Sequence, residues 1–319
     1  MPASEFDLIE RFFAGHDRHR DVLLGVGDDA ALLAPPPPGE ALTVTIDTLV
    51  AGVHFLADGD PQALGHKLLA VSLSDLAAMG ARPAWATLAL TLPEPDEAWL
   101  ESFCRGLFEL AAEHGVALVG GDTTRGPLTL TLQAAGHVPP ELALRRAGAR
   151  PGDAVCVTGT LGDAALALVP PDDLQPGEAD FLQQRLDRPT PRVAMGLALR
   201  GRATAAIDLS DGLAADLGHV LEASGVGASL ELARLPLSPP LRRLAEAGDW
   251  THPLAGGDDY ELCFTLPSAR LAELEALDLG VNVTRIGTVE SEPGLRLVAP
   301  DGSPYTLARA GYDHFGGSA

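Results

Sequence analysis

At 319 residues the chain exceeds the roughly 250–300 residues that one hydrophobic core supports, which predicts two domains. With 46% hydrophobic and 21% charged residues and a mean hydropathy of +0.13, its composition is that of a soluble globular protein rather than a disordered one. A formal net charge of −22 argues against a nucleic-acid or anionic-membrane partner, because phosphate polymers are gripped by clustered Lys and Arg, so a phosphorylated small molecule would need an imported cation.

In chain order, TVTIDTLV (43–50) alternates polar and apolar positions and reads as a strand, as do WATLALTLP (85–93) and LTLTLQAAGHV (128–138). Helical apolar spacing covers 61–79 and 96–113, the second helix opening after the acidic start signal EPDE. RRAGARPGD (145–153) is Gly/Pro/charge punctuation, and it divides the expected domains into 1–148 and 149–319. Beyond it come a strand at 154–159 running into helical GDAALAL, then AAIDLSDGL (205–213), a strand whose polar turn opens a helix over Leu213–Ala223. Strands are expected at 228–235, 260–266 and 283–289, with a helix at 268–277, which makes the class α+β or mixed α/β. Cys104, Cys156 and Cys263 are odd in number and sit in apolar runs, which reads as core thiols rather than disulfides or a zinc site. The apolar segment Leu68 to Met79 is too short to span a bilayer and is interrupted by Asp75; with no leader-like segment in view, a cytoplasmic protein is expected.

Acidic residues recur beside glycine and within apolar runs, at GDD (27–29), TID (45–47), SLSD (72–75), GGD (120–122), IDLSDG (207–212) and GGDDYE (256–261). Each alone is ordinary turn chemistry. Six together point further, since buried carboxylates must be neutralised by metal or a cationic ligand. Oxygen donors without paired His or Cys favour Mg²⁺, with Mn²⁺ or Ca²⁺ as alternatives, over zinc. Period-2 geometry places Thr45 and Asp47 on one strand face and Val44 and Ile46 on the other. Magnesium with many carboxylates fits phosphate chemistry, yet no GxxxxGK[ST] is present. Phosphates would then lie on metal and on backbone N–H groups of GGDTTRG (120–126) and TGTLGD (158–163), with Arg125, Arg145 and Arg146 as neighbouring cations.

Taken together, EFDLIERFF (5–13), GVGDDAALL (25–33), TIDTLVAGVHF (45–55), SLSDLAAMGARPAW (72–85), LVGGDTTRGPL (118–128), RPGDAVCVTGTLGDAA (150–165), IDLSDGL (207–213), GGDDYELCF (256–264) and GYDHF (311–315) closely resemble the thiamine-phosphate kinase family. That family belongs to the superfamily of aminoimidazole ribonucleotide synthetase and selenophosphate synthetase. The resemblance runs essentially end to end. It implies the two-domain aminoimidazole ribonucleotide synthetase-like fold and transfer of the ATP γ-phosphate onto thiamine monophosphate. The product would be thiamine diphosphate, formed by direct in-line, Mg²⁺-assisted chemistry without a phosphoenzyme, as the final step of thiamine diphosphate biosynthesis.

Carried over by motif, Asp29, Thr45, Ile46 through its backbone, Asp47, Asp75, Asp122, Asp208 and Asp211 would be metal ligands, with Asp122 and Asp211 central to catalysis. Gly121, Asp122, Arg146 and Ser210 would surround ATP, while His54, Asp258 and Tyr312 would face thiamine monophosphate. On residue type alone, His54 is equally an ordinary capping or surface histidine, and Tyr312 lies near a terminus where fraying is the default. The family usually has Glu where this chain has Asp258, one methylene shorter, which bears on substrate affinity rather than reaction type. The resemblance also implies a homodimer formed through an N-terminal domain that binds ATP and Mg²⁺, with the C-terminal domain completing the substrate site.

Other superfamily synthetases are disfavoured. The first cysteine is Cys104, in an expected helix, rather than a reactive residue near the N-terminus as in selenophosphate synthetases, and the wording around the glycines differs from aminoimidazole ribonucleotide synthetase. A non-catalytic nucleotide-binding descendant would show eroded ligands, whereas every principal acidic position is occupied.

Overall fold

The computed structural model describes residues 5–312, organised as two compact units. The first comprises residues up to Leu76 plus Ala81–Glu141, and the second comprises Ala77–Gly80 and the chain from Leu142 onward.

The first unit runs α1 (Glu5–Phe12), β1 (Val22–Leu24), β2 (Leu32–Leu33), β3 (Ala41–Val50), α2 (Pro61–Ala78), β4 (Arg82–Leu92), α3 (Glu97–His114), β5 (Ala117–Arg125) and β6 (Thr129–Val138). Its four-stranded sheet has the order β3-β6-β4-β5, antiparallel except for the β4–β5 pair. Helix α2 is buried over most of its length, and Leu68, Leu69, Leu73 and Leu76 are all essentially inaccessible, while Ser72 and Asp75 share one polar face. Helix α3 is bounded as its sequence dictates: the Asp96 side chain accepts the Ala98 and Trp99 N–H groups, and Gly115 closes the helix in the left-handed region. The opposite sheet face stays open, with Leu42, Val44 and Ile46 of β3 at 45%, 47% and 62% exposure.

The second unit contains β7 (Asp153–Thr158), α4 (Asp163–Leu168), α5 (Glu178–Asp187), α6 (Val193–Leu199), β8 (Ala205–Asp208), α7 (Leu213–Ser224) and β9 (Gly227–Glu231). There follow α8 (Pro239–Glu246), α9 (Thr251–Ala255), β10 (Leu262–Pro267), α10 (Leu271–Glu275), β11 (Val283–Glu290), β12 (Gly294–Val298) and β13 (Pro304–Tyr305). The mixed seven-stranded sheet has the order β13-β12-β9-β11-β7-β10-β8. Its core packs Val155, Val157, Ile207, Leu217, Leu230 and Ile286.

The long strands and helices expected from periodicity form with ends shifted by a few residues. Three differences are physical. GGDTTRG is not a loop, since all but its last residue lies in β5, an edge strand whose N–H groups are open on one side only. The strand expected from residue 260 begins at Leu262, because Asp258 and Tyr260 carry positive φ values of 70° and 49°. The helix expected over 268–277 shrinks to a 3₁₀ turn, Ser268–Arg270, followed by α10. The three cysteines are buried thiols, and among the described residues no helix is long and apolar enough to cross a membrane.

Candidate active site

In the first unit, strand alternation turns Thr45 and Asp47 inward toward α2. There Ser72 Oγ donates to Asp47 Oδ2 at 2.7 Å, and Thr45 Oγ1 donates to Asp75 Oδ2. Burial, reinforced by the nearby Asp75 charge and partly offset by the Ser72 hydroxyl, pushes the Asp47 carboxyl up to about 6. Ile46 points its side chain to the open face, so only its backbone adjoins this pair. At the end of β3, His54 Nδ1 accepts the Val50 N–H at 3.0 Å, which leaves the ring proton on Nε2 as a donor.

A cavity of about 490 Å³ brings the Gly27-Asp28-Asp29 loop together with Gly121 and Asp122 of β5, over an apolar wall that includes Phe13, Leu90 and Leu118. Asp28 Oδ1 accepts the Asp29 N–H at 2.9 Å and so shapes this loop. Gly121 is required by close approach, since a Cβ there would lie 1.8 Å from the Leu88 carbonyl oxygen.

In the second unit, Asp208 ends edge strand β8, and the chain beyond it is zipped to the GGDDYE loop. The Asp258 N–H donates to the Ser210 carbonyl at 2.9 Å and the Tyr260 N–H to the Leu209 carbonyl at 2.8 Å, while the Tyr312 N–H reaches the Asp211 carbonyl at 3.0 Å. Ser210, Asp211, Asp258 and Tyr312 are thereby gathered in one place. The Tyr260 hydroxyl donates to Asp258 Oδ1 at 2.9 Å. Beneath them Asp216 of α7 accepts the Asp211 and Gly212 N–H groups at 3.1 and 3.0 Å. Burial and the adjacent Asp211 charge push the Asp216 carboxyl up to about 7 against the pull of those N–H donors. Arg146 is exposed, and its carbonyl accepts the Ser224 hydroxyl at 3.2 Å.

The residues fit a hard divalent cation in donor type: Asp47 and Asp75 form a half-buried carboxylate pair whose mutual repulsion calls for positive charge. Among the described residues no three Asp, Glu, His or Cys side chains converge into a ready-made metal cage.

The descriptions "AIR synthase related protein, N-terminal domain" and "C-terminal domain" match residues 27–138 and 150–300. Over 99% of both chains, the sequence is 52% identical to the thiamine-monophosphate kinase of Escherichia coli K12. The chain belongs to the thiamine-monophosphate kinase family. Among solved structures of that family, the thiamine-monophosphate kinase from Stenotrophomonas maltophilia K279a is 49% identical with a TM-score of 0.83, covering 90% of this chain and 93% of that one. AaThiL complexed with AMPPCP and TMP is 33% identical with a TM-score of 0.76, covering 91% and 92%.

In TGTLGD the N–H groups of Gly159 and Leu161 are bonded to the Asn282 and Pro236 carbonyls, and that of Gly162 to Asp259, so these three are engaged within the protein. Sequence reasoning missed Ser72 and Asp216. Ser72 stands three residues before Asp75 and therefore on the same helix face, a signal available in SLSD. Asp216 carried no such signal, because its partners are backbone groups of a turn. Of GYDHF, residues 313–315 lie outside the described residues.

Proposed function

We infer that this chain transfers the γ-phosphate of ATP onto the phosphate of thiamine monophosphate, giving thiamine diphosphate and ADP. The full-length 52% identity to a thiamine-monophosphate kinase carries this reading, supported by the structural likeness to a relative complexed with AMPPCP and TMP. The direct test is incubation of the folded protein with ATP, Mg²⁺ and thiamine monophosphate, followed by chromatography for thiamine diphosphate. A well-folded sample that forms none overturns the reading.

The finer proposal assigns Asp29, Thr45, the Ile46 backbone, Asp47, Asp75, Asp122, Asp208 and Asp211 to Mg²⁺, and Gly121, Asp122, Arg146 and Ser210 to ATP. His54, Asp258 and Tyr312 take thiamine monophosphate. Bound Mg²⁺ would supply neutralisation and alignment of phosphate oxygens. The acceptor phosphate already carries an anionic oxygen, so the chain needs no strong general base; its task is positioning for in-line transfer. Ser72 orients the Asp47 carboxylate, Asp216 holds the backbone beneath Asp211, and His54 Nε2–H is suited to donate to a phosphate oxygen. The N-terminal part, to residue 148, would hold ATP and Mg²⁺ and form a homodimer through the exposed Leu42, Val44 and Ile46 face; residues 149–319 would complete the substrate site. A cytoplasmic location accords with cysteines that are odd in number and buried, and the net charge of −22 argues against a nucleic-acid partner.

A further inference from the structure

The GGDDYE loop alternates between two environments. Asp258 and Tyr260 belong to the gathered site, whereas Asp259 and Glu261 turn into the protein, at 2% and 0% exposure. The Glu261 carboxylate is held from three sides. Arg192, at the start of α6, donates through Nε at 2.7 Å and Nη2 at 2.5 Å, Arg185 of α5 through Nη2 at 2.9 Å, and Thr158 through Oγ1 at 2.5 Å. Gly159 leaves the space for it, since a Cβ there would stand 2.1 Å from Glu261 Oε1. Asp259 accepts the Gly162 N–H through both oxygens, at 3.0 and 2.8 Å. The Glu261 carbonyl in turn accepts the Leu209 N–H at 2.8 Å, so the clamped residue is bonded directly to the chain carrying Ser210 and Asp211.

Between and beside these anchors, Asp258 and Tyr260 adopt positive φ, a conformation that a tyrosine takes only where its surroundings impose it. The backbone bond between Leu209 and Glu261 links the clamp to the gathered site.

We propose that Glu261, clamped by Arg185, Arg192 and Thr158, is a positioning residue that holds Asp258 and Tyr260 in the conformation that receives thiamine monophosphate. The assignment rests on the reading of Asp258 as a substrate contact. A planar guanidinium satisfies both Glu261 oxygens at once, which an ammonium cannot do. Arg192→Lys therefore keeps the buried charge while releasing the fixed geometry. Thr158→Val removes one donor to Glu261, and with it the acceptor of the Leu262 N–H at 2.9 Å, and leaves no buried charge without its arginines.

Steady-state kinetics of both variants, varying thiamine monophosphate and ATP separately, test the proposal, together with hydrogen exchange over residues 256–262 of the free protein. Expected is a rise of about tenfold in KM for thiamine monophosphate in Arg192→Lys and a smaller rise in Thr158→Val, with KM for ATP nearly unchanged and faster exchange in the loop. A lower melting temperature with both KM values and loop exchange unchanged makes the cluster purely structural and overturns the proposal. If Arg192→Lys does not fold, Thr158→Val decides by the same criteria. Loop exchange is read without substrate, so a wild-type protein inactive on thiamine monophosphate would sink the functional reading while the clamp itself is still scored.

Discussion

In the first unit Asp29 and Asp122 stand exposed on the walls of a cavity, and Asp47 and Asp75 crowd each other, Asp47 accepting the Ser72 hydroxyl and Asp75 the Thr45 hydroxyl. In the second, Asp163, Asp259 and Glu261 are buried against Arg185 and Arg192, so much of their charge is answered by the chain itself. Burial raises the Asp163 carboxyl and pushes that of Asp259 well above its ordinary range. Acidic residues of similar sequence context thus serve two ends. Those paired with arginine build architecture; those on the cavity wall and in the hydroxyl-bonded pair are the ones proposed to meet a ligand.

The sharpest way to break this division is to neutralise one member of the ligand class. Asp122→Asn and Asp211→Asn are each expected to lower kcat by about a hundredfold or more with the melting temperature almost unmoved, measured at saturating Mg²⁺. Unchanged turnover in either removes that carboxylate from catalysis. Next in size, Ile46→Asp places a charge on the open sheet face, and light scattering after gel filtration is expected to show a monomer that keeps its circular dichroism, since the residue is already 62% exposed. A dimer that survives the change moves the interface elsewhere.

Restoring the family's usual side chain through Asp258→Glu alters reach by one methylene. A shift of a few fold in KM for thiamine monophosphate, with kcat held, is the expected reading of initial rates.

The smallest effect is electrostatic and far from either cluster. Arg243, with help from the Gln175 N–H, holds the half-buried Glu178 carboxyl down at about 2 from its usual 4.5. A depressed acid stabilises the fold above its unfolded value and loses that contribution as pH falls through the folded one. The melting-temperature gap between wild type and Glu178→Gln should therefore be full near about pH 6 and close as the solution approaches about pH 2.5. A gap independent of pH assigns the effect to packing.

Much of the fold was legible in the sequence because its signals are local. Alternation in TVTIDTLV, helical spacing in 61–79 and the Asp96 cap need only neighbouring residues, and each element formed within a few positions of expectation. The division of Thr45 and Asp47 from Ile46 followed from strand geometry in the same way. GGDTTRG misled because Gly-Asp wording is shared by turns and by edge strands at close approach, and only the Leu88 carbonyl against Gly121 distinguishes them. In TGTLGD three N–H groups are claimed by Asn282, Pro236 and Asp259, residues about 75–125 positions downstream, which no local pattern announces.

By itself, then, the sequence determined the element types, the recurring acidic motifs and, through their joint resemblance, the family. Which carboxylates face a cavity and which are locked to arginine was decided by tertiary structure alone. The reason is that a carboxylate's role depends on what stands opposite it: Glu261 meets Arg185 and Arg192 across about 70–75 residues of chain, a contact that no local pattern encodes.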